Sequence, residues 1–595
     1  MRQFASQTVT RLFTSFTEAG DTINSMTPKK ILFLILAITA FLRLWGISKN
    51  PVSLFGDELD VGYHAYSILK TGKDYSGNPW PIHFQSLAEW RTPLYIYSAV
   101  PTVAVFGISP LGVRLPAAIF GILGVWVLYL LIKEISQDER LALLSSAVLG
   151  FSPWHIQYSR AAFEVTLLLF LLLLGLYFFF KSLKNPRLLW ISLGFLALTP
   201  WVYSTAKLFT PILLIFLFFL YKKDIISFPK KYLLYGLAAL LVVGGPIAYS
   251  TLLGGGTQRF GYISIFTDPT TEPEVGFGRL IDARMRGEMG EGLTPTVIDR
   301  LVHNKFTFWG AGVIKNYFES FSTEFLFIKG DLNLRHSIGL GEFYRVEAIA
   351  LIVGLTLFFA HSASSGQNAK MKWLMAFWIL AGAVPSAITR EGGKHATRLI
   401  LILPPLIFLI SYGINETLNT LKGKARLLFS LAYLVLFALS FYSYQHQYWV
   451  HYPRESERWW HASWGEAIAS IKDVENNYDK IAISMAGEPA WIFFAGHYMY
   501  PPDRWQKNFP IGNDVDLEGF GKVSHIDKFY FGSPKGGLYE WGQVLDKRTL
   551  FLANAGEVKV NLILEPERLP GDLNLVKTIP FPSGEPAFYL FSGFQ

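Results

Sequence analysis

The chain has 595 residues, of which 51% are hydrophobic and only 16% are charged, and its mean hydropathy is +0.31. This balance excludes an ordinary soluble protein of this length and predicts a polytopic membrane protein. Cysteine is absent, which excludes disulfides and thiolate metal sites and leaves the redox compartment open. The net charge of +8 does not indicate nucleic-acid binding, because the basic residues gather in loops on one predicted membrane face.

Apolar stretches of roughly 17 to 25 residues are long enough to cross a bilayer. The first one follows Lys29-Lys30 and lacks a small-residue cleavage site, so we interpret it as a retained span and not as a signal peptide. The sequence therefore predicts a polytopic α-helical protein with about eleven transmembrane helices. They lie at about 31–48, 113–132, 141–157, 165–180, 188–203, 208–221, 232–251, 343–360, 373–389, 398–413 and 427–444.

One more apolar stretch, 93–108, decides the topology. If it is not a span, one set of short loops holds eighteen Lys and Arg residues and the opposite set holds five. Counting it as a span would move fourteen of the eighteen to the outside, against the positive-inside tendency. We therefore predict a cytoplasmic N-terminus and a juxtamembrane or re-entrant stretch at 93–108. Outer loops then lie at 49–112 and 252–342.

The composition changes near residue 450, where the apolar spans end. Helical periodicity at 464–474 and strand-like runs at 480–485, 549–552 and 561–564 predict a separate soluble α/β domain. The predicted organisation is a membrane domain over 1–449 and an extracytoplasmic domain over 450–595.

Two adjacent carboxylates, Asp57 and Glu58, follow the first span. A helix is predicted from Asp57 to Lys70, closed by Gly72. Asp57 alone has an ordinary explanation as the helix N-cap. Glu58 makes that explanation incomplete, because one cap needs one carboxylate, and carboxylates at a membrane face are usually kept for chemistry, ion passage or binding.

Further charged residues fall on the same predicted outer face. Glu89 and Arg91 precede an apolar stretch, where an interfacial belt is the structural alternative. Arg160 and Glu164 have the spacing of an ion pair across one helical turn, which is the alternative to function there. The 390–398 loop carries several cations around Gly392-Gly393. It suits a lipid-linked phosphate, although it could also be only a hydrophilic link.

Four segments of the sequence together resemble the GT-C integral-membrane glycosyltransferases, in the branch of protein O-mannosyltransferases and lipid A aminoarabinose transferases. The likeness covers the membrane part and is strongest over residues 50–165. The segments that carry it are Gly56-Asp57-Glu58, Arg91-Thr92-Pro93-Leu94-Tyr95, 110–116, and 152–160 followed by Glu164.

The resemblance implies transfer of a sugar from a polyprenyl-phosphate donor, outside the membrane and with inversion at the anomeric carbon. It makes Asp57 the general base for the acceptor, Glu58 its acidic neighbour and Glu164 a second acidic residue. It also implies that Glu89 and His336 hold a divalent ion such as Mg²⁺, Mn²⁺ or Zn²⁺. A phosphate leaving group needs its growing charge held by cations, here Arg91, Arg160, Lys394 or Arg398.

The primary hypothesis is therefore a membrane glycosyltransferase of the cell membrane whose acceptor is a protein, a lipid or a surface glycan. One alternative is an ion-coupled transporter of a lipid-linked or sugar substrate, which would place its charges near the midplane within paired repeats. Another is a non-catalytic glycan receptor anchored by its spans. The sequence contains no ATP-binding loop and no HExxH zinc motif.

Overall fold

The computed structural model describes residues 26–86, 89–254, 256, 258–290, 292, 294–360, 366–508 and 515–594. In the first half of the described chain the α-helices are α1 (Pro28–Leu44), α2 (Gly56–Thr71), α3 (Leu94–Phe106), α4 (Pro110–Ser136), α5 (Glu139–Phe151), α6 (Pro153–Tyr158), α7 (Val165–Lys184), α8 (Leu189–Leu198), α9 (Ser204–Leu220), α10 (Lys222–Ile226), α11 (Lys230–Leu253), α12 (Gln258–Ile263) and α13 (Thr271–Met285).

The remaining described α-helices belong either to the membrane part or to the C-terminal domain. They are α14 (Val297–Val302), α15 (Lys305–Glu319), α16 (Arg345–Ala360), α17 (Gly366–Ala387), α18 (Ala396–Leu399), α19 (Leu403–Thr420), α20 (Gly423–His446), α21 (Tyr452–Glu455), α22 (Trp464–Val474), α23 (Ala490–Tyr498), α24 (Pro502–Lys507) and α25 (Ala555–Val558).

Each of the eleven predicted apolar stretches coincides with helix, but the count of eleven spans is not confirmed. In the part of the chain that the structure describes, five helical segments are long and apolar enough to cross a membrane on their own: Pro110–Ser136, Val165–Lys184, Lys230–Leu253, Ala396–Thr420 and Gly423–Glu455. Helix α3, in the ambiguous 93–108 stretch, has 13 residues. Its length of about 20 Å is less than the thickness of a bilayer core.

The apolar helices divide into an inner and an outer group. The most apolar window of Ala396–Thr420 is 89% buried, whereas that of Lys230–Leu253 is only 11% buried and that of Gly423–Glu455 is 6% buried. A helix that is apolar all round and still exposed is stable only where another apolar medium covers it. The lipid-facing surface therefore includes α11 and α20.

Helix α2 lies between the membrane helices and the C-terminal domain. It begins at Gly56 after Phe55 and ends against Gly72, whose left-handed φ of 69° closes the helix. The N-cap is Phe55, without a side-chain cap bond, so the capping explanation for Asp57 is wrong. Asp57 stands inside the first turn, where the free amides at the helix N-terminus favour negative charge.

The C-terminal domain is built on a seven-stranded sheet. The described strands are β1 (Phe84–Ser86), β2 (Glu89–Arg91), β3 (Lys480–Ile483), β4 (Val515–Leu517), β5 (Gly521–Ile526), β6 (Phe529–Phe531), β7 (Thr549–Asn554), β8 (Leu573–Pro580) and β9 (Pro586–Gly593). The sheet order is β4-β5-β6-β3-β7-β9-β8, and β1 pairs with β2 in the first outer loop. Strand β3 pairs in parallel with β6 and β7, and every other pairing is antiparallel.

The predicted helix at 464–474 and the predicted strands at 480–485 and 549–552 are present, but the predicted strand at 561–564 is wrong. There the Asn561 side chain accepts from the amide of Ile563, and its carbonyl accepts from the amide of Glu565. An asparagine that bonds the backbone ahead of it favours a turn over a strand. Strands β8 and β9 supply the sheet edge instead.

The C-terminal domain packs directly on α2. The Tyr63 hydroxyl donates to the Tyr500 carbonyl at 2.9 Å. The Gln506 amide donates to the Ser67 and Thr71 hydroxyls, each at 2.9 Å. These contacts join residues more than 430 positions apart in the chain and hold the helix that carries Asp57 and Glu58 in one position.

Candidate active site

Asp57 and Glu58 are neighbours in the chain with opposite surroundings. The side chain of Asp57 is 50% exposed, while that of Glu58 is completely buried. Successive residues of a helix point about 100° apart, so one carboxylate faces the open side of α2 and the other faces the protein interior.

Arg91 holds Asp57 in place. Its Nη2 lies 2.5 Å from Asp57 Oδ1, and its Nε lies 3.2 Å from Oδ2 of the buried Asp60. Arg91 itself is only 11% exposed. Arg91 thus contacts both carboxylates through separate nitrogens, and its predicted role as a phosphate ligand stays a prediction.

Asp60 is the buried carboxylate that also contacts Arg91. It accepts a hydrogen bond of 2.7 Å from the Tyr75 hydroxyl, and the Tyr75 ring stacks on His64 with 3.8 Å between centroids. Burial raises the pKa of Asp60, and the nearby Arg91 opposes that shift. Burial also lowers the pKa of His64 to about 3, which keeps its imidazole neutral at physiological pH.

Glu58 forms a closed ion pair with Arg114. Nε and Nη2 of the arginine contact the two carboxylate oxygens at 2.8 and 2.7 Å, and the amide of Ala162 donates to Glu58 Oε1 at 2.8 Å. The other Arg114 donors bind the carbonyls of Ile47, Pro51 and Ser53. The Glu58 carboxylate is thus held by Arg114 and the Ala162 amide, and its assignment to the catalytic group stays a prediction.

Arg160 is also structural. It is completely buried, its Nη1 donates to the carbonyls of Leu42 and Trp45, and its Nη2 donates to that of Asn50. These carbonyls lie at and beyond the C-terminal end of α1, where main-chain acceptors lack helical partners. The guanidinium therefore binds the carbonyls at the end of α1, and the assignment of Arg160 to a donor phosphate stays a prediction.

Glu164 stands at the start of α7 and is partly exposed. It contributes, with Glu58, to the field that raises the pKa of Tyr95, after the larger effect of burial. Tyr95 belongs to α3, so Glu164 lies on the same side of the molecule as the Asp57 end of α2.

Asp331, His336 and His395 form a compact cluster of metal-binding side chains. One ligand atom from each lies within 4.8 Å of the others. Asp331 Oδ2 is 2.9 Å from His336 Nδ1 and 3.9 Å from His395 Nδ1. Two imidazoles and a carboxylate match the ligand preferences of Zn²⁺ and similar ions. His336 thus meets two residues that were not predicted as ligands, whereas the side chain of its predicted partner, Glu89, lies outside the described part.

A mostly apolar cavity with two cations opens beside this cluster. Its volume is about 270 Å³, and its wall includes Lys207, Arg398 and Tyr203. The Ala396 amide, two residues before Arg398, donates to Asp331 Oδ2 at 2.9 Å. The Thr92 hydroxyl, next to Arg91, donates at 2.6 Å to the carbonyl of Val202, which precedes Tyr203. The cavity, the cluster and the Arg91–Asp57 pair are thereby joined through a few residues.

An apolar groove continues from the same cavity. It has a volume of about 430 Å³ and shares Lys207 and Thr251 with the cavity wall. The other lining residues come from α8, α9, α11 and the turn after α8, and α11 is exposed on the lipid side. The predicted cation Lys394 lies elsewhere in the loop, where it pairs with Glu324.

Comparison with known proteins bears on this arrangement. Residues 91–249 match the family model described as dolichyl-phosphate-mannose-protein mannosyltransferase. The resemblance to the GT-C glycosyltransferases is confirmed. Among the described residues, five helical segments are long and apolar enough to cross a membrane, so the chain is a multi-pass membrane protein. A Bacillus subtilis (strain 168) protein named "Putative mannosyltransferase YkcB" is 26% identical over 168 residues, which are 28% of this chain and 22% of that protein. The chain thus matches less than a quarter of the length of that curated relative.

Three solved structures show more distant likeness. ArnT from Cupriavidus metallidurans bound to undecaprenyl phosphate is 11% identical, with a TM-score of 0.47 over 94% of this chain and 97% of that one. AglB from Archaeoglobus fulgidus, in complex with an inhibitory peptide and a dolichol-phosphate, is 13% identical, with a TM-score of 0.45 over 79% and 63%. The S. cerevisiae Pmt1-Pmt2 complex bound to its sugar donor is 18% identical, with a TM-score of 0.30 over 40% and 34%.

Sequence reasoning missed four residues that the structure brings together at the site, and each has a local reason. Asp60 and Lys207 were not distinguishable from other charged residues near predicted membrane ends. Asp331 and His395 lie 64 positions apart, so no local motif joins them. Arg398, Arg91 and Asp57 were named from the sequence because they lie near the ends of apolar stretches on the same predicted face, and their roles stay predictions.

Proposed function

We propose that this chain is a glycosyltransferase that moves a sugar from a polyprenyl-phosphate donor to an acceptor hydroxyl on the extracytoplasmic face, with inversion. The observation that carries the proposal is the half-exposed Asp57 carboxylate, which Arg91 holds 2.5 Å away and which is joined through Thr92 to a cationic cavity. The family match over 91–249 supports it.

The donor's phosphate would lie against Lys207 and Arg398. These are the cations in the cavity wall, and the rest of the wall is largely apolar, which strengthens charge interactions there. The groove along α11 offers an apolar path for the polyprenyl chain, open toward lipid. This arrangement assigns the phosphate to Lys207 and Arg398 and leaves Lys394 to its ion pair with Glu324.

Asp57 would act as the general base. A hydroxyl is a weak nucleophile, and a carboxylate within hydrogen-bond reach that takes its proton during attack accelerates transfer by about 10²- to 10⁴-fold. The Arg91 guanidinium, 2.5 Å from Asp57 Oδ1, holds the carboxylate in one orientation toward the acceptor. The attacking oxygen then bonds to the anomeric carbon as the bond to the phosphate oxygen breaks, and the leaving phosphate keeps both electrons.

A divalent ion would bind between Asp331, His336 and His395. Burial raises the pKa of the neighbouring Glu342 carboxyl. Asp331 would supply the oxygen ligand beside the two imidazoles. When bound, such an ion would help to neutralise the negative charge that develops on the donor phosphate.

The metal proposal has a direct test. We expect purified wild-type protein dialysed against Zn²⁺ or Mn²⁺ and then desalted to retain about one ion, measured by elemental mass spectrometry, and the His336→Ala variant to retain none. A matched control is His303→Ala, because His303 makes a comparable 2.8 Å contact with Asp282 outside the cluster. Equal metal retention in all three proteins would contradict the site.

The Asp57→Asn variant tests the base. We expect at least a hundredfold lower transfer from labelled polyprenyl-phosphate sugar in membranes, because the amide cannot accept the proton. Asp479→Asn is the control, since Asp479 is 55% exposed and lies 2.5 Å from Arg548, which matches the Asp57–Arg91 geometry at a remote place. Undiminished transfer by Asp57→Asn would remove Asp57 as the base.

A further inference from the structure

The C-terminal domain covers the open end of α2. Trp460 is fully buried and meets the Phe55 ring edge-on, with 5.2 Å between centroids. The Phe493 ring lies so close to Gly56 that a Cβ on that glycine would be 3.7 Å from Cζ. The segment that includes Trp459–His461 therefore stands directly beside the turn that presents Asp57.

A second pair of titratable residues lies at this contact. His461 Nε2 is 3.2 Å from Glu488 Oε1, and the His461 ring packs edge-on against Phe493 at 5.0 Å. The hydrogen bond from His461 lowers the pKa of Glu488, Arg335 acts in the same direction, and Asp57 opposes them. These effects require Glu488, Arg335 and Asp57 to be near neighbours, although they come from three separate parts of the chain.

Arg335 and Trp459 complete the wall. The Arg335 guanidinium is 5.0 Å from the Phe55 ring centroid and 5.9 Å from that of Trp459, which is 38% exposed. Arg335 Nε and His461 Nδ1 are both buried, and neither has a hydrogen-bond partner among the residues that the structure describes. Buried polar atoms are costly to leave unsatisfied, so these two indicate a polar ligand.

The backbone at this wall is strained. His461 and Ser463 have φ values of 48° and 74°, in the left-handed region that residues other than glycine rarely adopt. The strain is held by the Ala462 amide, which donates to the Glu457 carbonyl at 2.9 Å, and by the Ser463 hydroxyl, which donates to Pro580 at 2.7 Å. Strained positions of this kind cluster at ligand-binding sites.

We propose that Trp459, His461, Glu488 and Arg335 form the acceptor subsite and that the acceptor is a carbohydrate. This inference rests on the proposed function, because it assigns the substrate that presents its hydroxyl to Asp57. An exposed indole face packs against the C–H face of a sugar ring. The carboxylate, imidazole and guanidinium beside it supply the acceptors and donors that neighbouring hydroxyls need. A lipid tail would leave these polar groups unpaired.

The binding test uses the full chain in detergent without donor. The probes are neutral trisaccharides of mannose, glucose and arabinose, and the measurement is saturation-transfer NMR with a fitted Kd. We expect at least one trisaccharide to bind saturably, with a Kd at least fivefold weaker in Trp459→Ala and in Glu488→Gln. If none of them binds the wild type, or if both variants bind as the wild type does, the subsite is overturned.

Glu585→Gln provides the matched control. Glu585 pairs with Arg458, one residue before Trp459, and both side chains are more than 60% exposed. This variant is expected to keep trisaccharide affinity within twofold. A fivefold loss there as well would mean that the segment responds to any charge change, which overturns the specific roles of Trp459 and Glu488.

A kinetic experiment separates this inference from the proposed function. With polyprenyl-phosphate mannose as donor and the bound trisaccharide as acceptor, we expect Glu488→Gln to raise the acceptor KM at least fivefold and to change kcat much less. An unchanged acceptor KM overturns the subsite while wild-type transfer stands. Absence of both transfer and slow donor hydrolysis in the wild type overturns the proposed function, even where trisaccharides bind.

Discussion

Two ion pairs stand one residue apart on the first turn of α2, and they differ in almost everything except their chemistry. Glu58 and Arg114 are both completely buried, and every donor of the arginine is used. Asp57 is half exposed and shares Arg91 with Asp60. Burial therefore distinguishes a structural carboxylate from one that can contact a substrate, whereas residue type and adjacency in the chain do not.

The largest expected effect is on stability at the buried pair. Replacing Glu58 by Ala leaves the Arg114 charge buried without its partner, which typically costs about 3 to 5 kcal/mol. Asp57→Ala should cost less than about 1 kcal/mol, because an exposed pair is weak. Thermal unfolding of the two variants in the same detergent measures the difference. Equal losses of stability in the two variants would contradict the expected difference between the buried and the exposed pair.

Next in size is the effect on donor binding. Lys207→Gln and Arg398→Gln each remove a cation from the cavity wall, and we expect the donor KM to rise about tenfold, since a charge-assisted hydrogen bond contributes about 1.5 to 3 kcal/mol. Lys394→Gln is the control, because Lys394 pairs with Glu324 and does not line the cavity. A tenfold change in Lys394→Gln alone would assign the phosphate to Lys394 in place of Lys207 and Arg398.

The Arg91→Lys variant tests the role of the guanidinium in the exposed pair. Lysine keeps the charge but cannot contact Asp57 and Asp60 through separate nitrogens of one planar group. We expect kcat to fall about tenfold with the acceptor KM changed less, because the base is no longer held in one orientation. Arg114→Lys should instead lower the unfolding temperature. Steady-state kinetics and thermal unfolding on both variants distinguish these outcomes.

The smallest effect concerns a third pair, His461 and Glu488. The pKa of Glu488 is lowered, first by the His461 hydrogen bond, so its contribution to stability is present above its unfolded pKa of about 4.3 and is lost as the pH falls through the lower folded value. The Glu488 side chain is 44% exposed, so Glu488→Gln should cost less than about 1 kcal/mol at pH 7 and less still once the pH falls below the folded pKa of Glu488. A cost that grows on acidification would contradict this sign.

The sequence predicted the local parts of the site well. The helix after Asp57, its end at Gly72 and the helical nature of every apolar stretch follow from periodicity and turn chemistry, which act over a few residues. The partners of Arg160 could not be predicted, for the opposite reason. Its partners are main-chain carbonyls about 110 to 118 positions earlier, and no sequence pattern shows where the carbonyls at a helix end point.

The same limit applies to Glu58 and to the metal-ligand cluster. Arg114 is 56 positions from Glu58, and it opens a span as many arginines do at an interface. His336 was singled out, but Asp331 precedes it in an irregular loop and His395 lies beyond another span. Their proximity depends on how the helices pack, and neither composition nor residue spacing predicts that packing.

The short segment from His395 to Arg398 is shared by the metal-ligand cluster and the cationic cavity. At one end it contacts Asp331 through the Ala396 amide, and at the other its guanidinium lines the cationic cavity. A ligand that repositions this segment changes the free energy of binding at both places. Reciprocity then requires that an ion bound at Asp331 and a phosphate bound at Arg398 alter each other's affinity by the same factor.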